Sequence, residues 1–503
     1  MLYNLKFNTF TIQTYSVLSV FKKLFQQTFI YGLATVLPRA LGIVLVPLYT
    51  SELATSAFGI YATLMSYLIL GNVLLSYGME TAFFRFINKD ASKKKVVQST
   101  ALTSLTVSTF VFVSMLLLIR EPLASFLEFK VDYILYAIFI LALDALVVLP
   151  FVWLRANERP LRYAIIKIFN VLVNLGFNLF FFLILPQLAL NDSSSFWATI
   201  YSEENKIGYV FISNLIASAV TLLVVSPLYF NIGFKFNAVI WKQMIKYSFP
   251  VLIAGIAFSI NEAFDKILLN YLLPQDIASS EVGIYAACYK LGVFMTLFAT
   301  AFRLGIEPFF FNHSKNAKAK DTYATITKYF TIFGSFMMLF IIVYLDFFKR
   351  LLIKDSDYWA AVSIVPIILL ANLCLGIYHN LSVWYKVTDR TKFGAYISIA
   401  GAVITLILNF ALIPSIGYVG SALATLAAYG TMMILSYFFG RKYYAVPYNV
   451  KSILGYMALA TGFSIVSFYV FDRNLMIGTT LLLVFLLLIY FNEKEDIKRI
   501  LAT

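Results

Sequence analysis

The chain has 503 residues, of which 61% are hydrophobic and 13% charged, and it carries a formal net charge of +14. Its mean hydropathy is +0.83. A water-soluble chain of this size could not hide so much apolar surface, and long apolar stretches with Gly and Pro inside them exclude a membrane β-barrel, whose strands are short and alternate.

A helix of roughly twenty apolar residues crosses a bilayer, and on that measure the sequence predicts an all-α polytopic membrane protein of about fourteen spans. Residues 1–28 precede the spans and contain Lys6, Lys22 and Lys23. They have no compact apolar run and no small-residue cleavage site, so they are expected to form an uncleaved cytoplasmic or interfacial segment. Spans 1–6 are expected at about 29–51, 58–82, 96–119, 132–153, 163–185 and 207–230. Spans 7–12 follow at about 247–271, 282–307, 328–346, 359–384, 393–413 and 418–439, and spans 13 and 14 at about 452–470 and 475–491.

The spans repeat. Span 2 opens with Phe58-Gly59-Ile60-Tyr61-Ala62 and closes on Gly78-Met79-Glu80-Thr81-Ala82-Phe83-Phe84. Span 8 opens with Val282-Gly283-Ile284-Tyr285-Ala286 and closes on Gly305-Ile306-Glu307-Pro308-Phe309-Phe310-Phe311. Trp153-Leu154-Arg155 ends span 4 and Trp384-Tyr385-Lys386 ends span 10; Asn178 in span 5 matches Asn409 in span 11. Ile207-Gly208-Tyr209-Val210 and Ile416-Gly417-Tyr418-Val419 open spans 6 and 12. Residues 29–231 and 247–440 are therefore expected to be two six-helix bundles joined by a cytoplasmic linker, 232–246. Each copy has an even number of spans, so both stand the same way up, related by an axis along the membrane normal. Residues 452–491 form an appended helix pair and 492–503 a cytoplasmic tail.

Basic residues crowd one side. With the N-terminus inside, the inner segments hold roughly 27 Lys and Arg and the outer loops about seven, which places both termini in the cytoplasm. This bias accounts for the net charge without nucleic acid. No loop is long enough for a folded domain. Cys288 and Cys374 lie inside apolar spans and read as packing residues, and His313 and His379 make no ligand motif. No metal site or cofactor is expected, and no nucleotide loop or HExxH motif is present, so the chain reads as a transporter and not an enzyme.

Ionisable groups in hydrocarbon are costly and need a partner or water. Arg39 follows Pro38 in span 1, Asp144 sits mid-way along span 4, and Lys167 lies in span 5. Glu262, Asp265 and Lys266 cluster in span 7, where three- and four-residue spacing puts them on one face. That cluster reads either as a self-contained ion pair or as a site for a proton or sodium ion. Arg39, Lys290 and Arg303 read as cations lining a watery cavity suited to a pyrophosphate. For Arg39 the alternative is a pair with Asp144 across the bundle. Glu80 and Glu307 are expected to neutralise Arg85 and Arg303 at an inner gate. Pro38, Pro47, Pro150, Pro250, Pro308 and Pro366 would bend their spans.

The chain resembles the polysaccharide flippases, the O-antigen and capsule lipid-linked oligosaccharide translocases of the multidrug/oligosaccharidyl-lipid/polysaccharide exporter superfamily. The resemblance rests on Pro38-Arg39, Phe58-Gly59-Ile60-Tyr61, Gly78 to Phe86, and Ile416-Gly417-Tyr418-Val419-Gly420-Ser421-Ala422. It implies two bundles in a V around a cationic cavity in an inner membrane. It also implies a cargo of oligosaccharide on undecaprenyl pyrophosphate, a lipopolysaccharide or capsule precursor flipped toward the periplasm. Expected partners are this lipid-linked oligosaccharide, membrane lipids, a coupling ion (Na+ or H+) and other polysaccharide-assembly proteins. In relatives a sodium site between spans 7, 11 and 12 maps onto Asp265 and Asn409. Two alternatives stay open: a cation-coupled multidrug antiporter of the same superfamily, and a membrane polysaccharide polymerase or ligase.

Overall fold

In a bilayer every backbone N–H and C=O must be satisfied inside the protein, and a helix does this within one segment. The computed structural model describes residues 32, 36, 42–89, 93–192, 194–232, 235–313 and 318–501; they are helical almost throughout, with no strand among the described residues. Among the described residues ten helices are long and apolar enough to cross a membrane, or eleven when the bent pair Gln275–Leu291 and Val293–Glu307 counts as one span. The difference from fourteen has three sources. About half of span 1 lies outside the described residues, which leaves too short a helix to count. Span 7 is one helix, Ala238–Leu272, but polar residues such as Ser259, Asn261, Glu262, Asp265 and Lys266 dilute its apolar character. Spans 11 and 12 run together as Lys392–Tyr443.

That last stretch does not form one rod. Its backbone leaves helical geometry at Ile416 and Gly417, with Gly417 at φ +57°. Ser421 Oγ donates to Asn409 Oδ1 at 2.6 Å, twelve residues away, whereas twelve residues of straight helix would separate them by ~18 Å. The chain therefore reverses at Gly417, where a left-handed conformation suits glycine.

Spans 2 and 8 are the centre of the molecule. At the end remote from the basic loops they cross almost backbone to backbone. A Cβ on Gly59 would lie 1.7 Å from the Ser279 carbonyl oxygen, and one on Gly283 would lie 1.9 Å from that of Thr55. Each glycine thus meets the residue four before the other glycine, the reciprocal contact expected of a two-fold axis. Thr55 and Ser280 share a hydroxyl hydrogen bond of 2.7 Å beside it. Small residues four apart on both helices permit this approach, as in membrane helix pairs generally. Matched residues meeting at the same end of both copies is the geometry of the parallel repeat.

At the basic end the copies carry the same ion pair. Arg155 at the end of span 4 pairs with Glu80 at the end of span 2, and Lys386 of span 10 pairs with Glu307 of span 8 at 2.7 Å. Span 2 turns here through Tyr77 and Gly78, both with positive φ, and Gly78 seats on span 7, where a Cβ would lie 2.6 Å from the Ser248 oxygen. Span 5 carries a π turn, Phe180–Ile184, just ahead of Pro186, which absorbs the proline's missing N–H. Spans 13 and 14 pack on span 9, with Lys328 bonded to buried Glu493 at 2.5 Å and Tyr456 donating to that carboxylate at 3.1 Å.

Gly59→Ala and Gly283→Ala should each force the crossing apart. We expect each to lower the melting temperature in detergent by more than ~5 °C. Gly430→Ala, where a Cβ would meet nothing within 4 Å, should leave it unchanged.

Candidate functional site

Beyond the glycine crossing, spans 2 and 8 separate around a cavity of about 360 Å3. On span 8 it is lined by Ala286, Tyr289, Lys290, Val293, Thr296, Ala299, Thr300 and Arg303. These recur every three or four residues, so they form one face of the helix. On span 2 the matching face carries Tyr61, Ala62, Met65 and Ile69; Glu262 and Lys266 of span 7 and Asn372 and His379 of span 10 complete the wall. Span 8 bends by 48° after Leu291. At the bend the Gly292 carbonyl accepts from the Met295 N–H at 3.1 Å and also from Asn372 Nδ2 at 3.2 Å. In hydrocarbon a break is tolerated where the backbone groups beside it stay satisfied within the protein.

The charges in this cavity sort into paired and unpaired. Lys266 Nζ contacts both oxygens of Asp265 at 3.0 and 3.1 Å, and Tyr285 donates to Asp265 Oδ2 at 2.7 Å. Lys266 also lies 4.5 Å from the centre of the Tyr289 ring, so its charge is balanced locally. Lys290 and Arg303 have no ion pair among the described residues, and neither has Glu262. Two unpaired cations therefore face one unpaired carboxylate, and the cavity carries a net positive charge suited to an anion.

The other sequence-derived candidates separate by location. Arg39 lies outside the described residues, and so does its suggested pairing with Asp144. The partner of Glu80 is Arg155 and not Arg85, which instead sits over the Tyr247 ring at 4.2 Å. The partner of Glu307 is Lys386 and not Arg303. Both acids reach across to another span because the acid and the base occupy matching places in the two copies. Glu262 does not pair with Lys266 despite four-residue spacing, because the adjacent Asp265 captures that ammonium. Asn409 is buried between spans 11 and 12, donating to Thr405 O at 2.6 Å and accepting from Ser421. Its hydrogen bonds do not join it to Asp265. Asn178, its counterpart, likewise bonds the carbonyl four residues back, on Asn174, and accepts from Tyr49 at 2.8 Å. Among the described residues no cluster of His, Cys, Asp and Glu could hold a metal. Asp144 and Lys167 line a second polar cavity inside the first bundle.

Asn372 and Tyr289 were not singled out from the sequence. Neutral polar residues in a span give no sign of which way they face, and only the three- and four-residue stripe from Lys290 to Arg303 could have drawn Tyr289 in.

Residues 24–302, more than half of the chain, match the family described as polysaccharide biosynthesis protein. The chain belongs to that family. Residues 250–411 also match the MatE family. No curated protein matches the chain. Among solved structures it is similar to the lipid II flippase MurJ in an inward closed conformation, with a TM-score of 0.67, 15% identity, and coverage of 92% of this chain and 99% of that one. It is similar to a multidrug resistance MATE transporter in an inward-facing conformation, with a TM-score of 0.60, 13% identity, and coverage of 82% and 94%. A transporter of the same superfamily from Pyrococcus furiosus, reported with a binding pocket of reverse polarity, matches with a TM-score of 0.56, 15% identity, and coverage of 84% and 94%. The polysaccharide biosynthesis family member described here thus has the fold shared by flippases and transporters of the multidrug/oligosaccharidyl-lipid/polysaccharide exporter superfamily.

Asp265→Asn should leave Lys266 charged and half-buried without its counter-ion. Breaking a buried pair in this way costs about 3–5 kcal/mol, which thermal unfolding in detergent would register as a large loss. Removing both charges, with Asp265→Asn and Lys266→Met, should recover most of it.

Proposed function

We propose that this protein flips an oligosaccharide linked to undecaprenyl pyrophosphate from the cytoplasmic to the periplasmic leaflet of an inner membrane, for surface polysaccharide assembly. The observation that carries this reading is the pair of unpaired cations, Lys290 and Arg303, on one face of span 8 inside a membrane-embedded cavity. An unpaired cation in hydrocarbon persists where water or an anion reaches it. The bridging anion of such a lipid is a pyrophosphate, which a guanidinium and an ammonium hold well. The lipid tail stays in the bilayer while the charged head crosses through the gap between the two bundles, which rock about their shared axis in alternating access.

Membership of a polysaccharide biosynthesis family supports the cargo class, and the pocket of reverse polarity named for the Pyrococcus furiosus transporter supports reading cavity charge as a feature that differs between proteins of this fold. The basic bias of the loops supports cytoplasmic termini. Glu262 favours a second element, a coupling cation: it is the one carboxylate of the cavity wall with no ion pair among the described residues. Energy then comes from an ion gradient, with Glu262 exchanging Na+ or H+ as the cavity changes sides.

Lys290→Ala and Arg303→Ala should each reduce the periplasmic arrival of labelled lipid-linked glycan at least about tenfold at normal protein level, the loss expected when a charged hydrogen-bonding partner is removed. Unchanged surface polysaccharide in the double variant would overturn the proposal. Glu262→Gln should abolish any dependence of transport on the ion gradient while leaving binding of undecaprenyl pyrophosphate intact, as measured on the purified chain in nanodiscs.

A further inference from the structure

The second polar cavity, about 440 Å3 inside the first bundle, is built by spans 2, 4, 5 and 6. We propose that it is the subsite for the sugar rings of the cargo, a neutral polyol pocket set beside the anion site. This rests on the flippase reading above and adds to it where the glycan goes.

Its charge balance points to an uncharged ligand. Glu80 and Arg155 pair with each other at its basic end. Farther in stand one acid and one base, Asp144 and Lys167. They form no ion pair: Asp144 accepts from Ser218 at 2.7 Å, and Lys167 lies 4.2 Å from the centre of the Phe151 ring. Acids and bases are equal in number, in contrast to the central cavity, so the pocket offers a pyrophosphate no advantage. What it offers in quantity is amide and hydroxyl groups. Asn170 donates to Thr221 at 2.8 Å, and Asn214 has only the Met65 sulfur, at 4.0 Å. Arg155 Nε is buried without a hydrogen-bond partner. A wall of mixed donors and acceptors with unused capacity matches a ring of hydroxyls, each of which both donates and accepts. So many polar side chains on otherwise apolar helices are costly in a membrane unless something polar occupies the space between them.

Position supports the same assignment. Met65 and Ile69 of span 2 line the central cavity, and Asn72 and Ser76, before the turn at Tyr77, line this one. They follow one another at three- and four-residue spacing, so a single face of span 2 passes from one cavity into the other. The contact between Met65 and Asn214 lies at the boundary. A head group with its pyrophosphate against span 8 can lay its first sugars along this face.

The test compares two lipids on the purified full chain in nanodiscs: undecaprenyl pyrophosphate without sugar, and the lipid-linked glycan extracted from the producing cell. The wild type should bind the glycan-bearing lipid about tenfold more tightly, the worth of one or two well-placed hydrogen bonds. Asn214→Leu should bring that ratio close to one while leaving the affinity for the bare lipid unchanged, which also shows that the variant is folded. Should Asn214→Leu fail to fold, Ser218→Ala and Thr221→Val decide, each lowering the ratio about threefold. Lys290→Ala should weaken both lipids together. A wild-type ratio of one, variants that keep the wild-type ratio, or variants that weaken both lipids equally would overturn the sugar subsite and leave the flippase reading standing. A wild type that binds neither lipid would overturn that reading first.

Discussion

The crossing of Gly59 over Gly283 is the contact on which the rest of the arrangement depends. Both helices give up a side chain so that their backbones can touch, and the reciprocal fit to Ser279 and Thr55 fixes how the two copies face each other. Lipid tails are as apolar as the helices, so close packing of small residues, and not burial of apolar surface, holds such helices together. Once the two central spans meet at one end, their divergence toward the other leaves the space that Lys290, Arg303 and Glu262 line. The cavity is thus a consequence of where the glycines lie.

The charged residues divide according to whether the duplication supplied them with a partner. Glu80 with Arg155 and Glu307 with Lys386 occupy matching positions, so each copy inherited its own pair. Asp265 and Lys266 neutralise each other locally, with Tyr285 completing the carboxylate. Lys290 and Arg303 have no equivalents in span 2, whose corresponding face carries Ala62, Met65, Asn72 and Ser76. The second copy presents the cationic wall, and the first an amide- and hydroxyl-rich one. Sequence repetition built the scaffold, and departures from it made the two walls chemically different.

Much of this was legible in the sequence. Apolar runs located the helices, and the Phe58 and Val282 openings revealed the duplication, because both signals follow from local spacing. The partners of the charges within the spans were not legible. Four-residue spacing joins Glu262 to Lys266 on paper, but an adjacent carboxylate with a suitable rotamer reached the ammonium first. Arg85 is near Glu80 in sequence, yet Arg155 arrives from another span, and nothing in one linear string reports that approach. The repeat held a hint: aligning the two copies matches Glu80 with Glu307 and Arg155 with Lys386, so the same acid and base recur together in each copy. The second polar cavity escaped notice for a related reason, since Asn72, Asn170 and Asn214 each look like an isolated polar residue until three helices bring them together.

The two matched ion pairs each join helices belonging to one copy. Neither ties one copy to the other, so the rocking motion proposed above would carry these electrostatic bonds along unbroken. Opening at the basic face would then work against contacts of another kind, the snug seat of Gly78 on span 7 and the stacking of Arg85 on the Tyr247 ring, which yield by sliding rather than by separating an acid from a base.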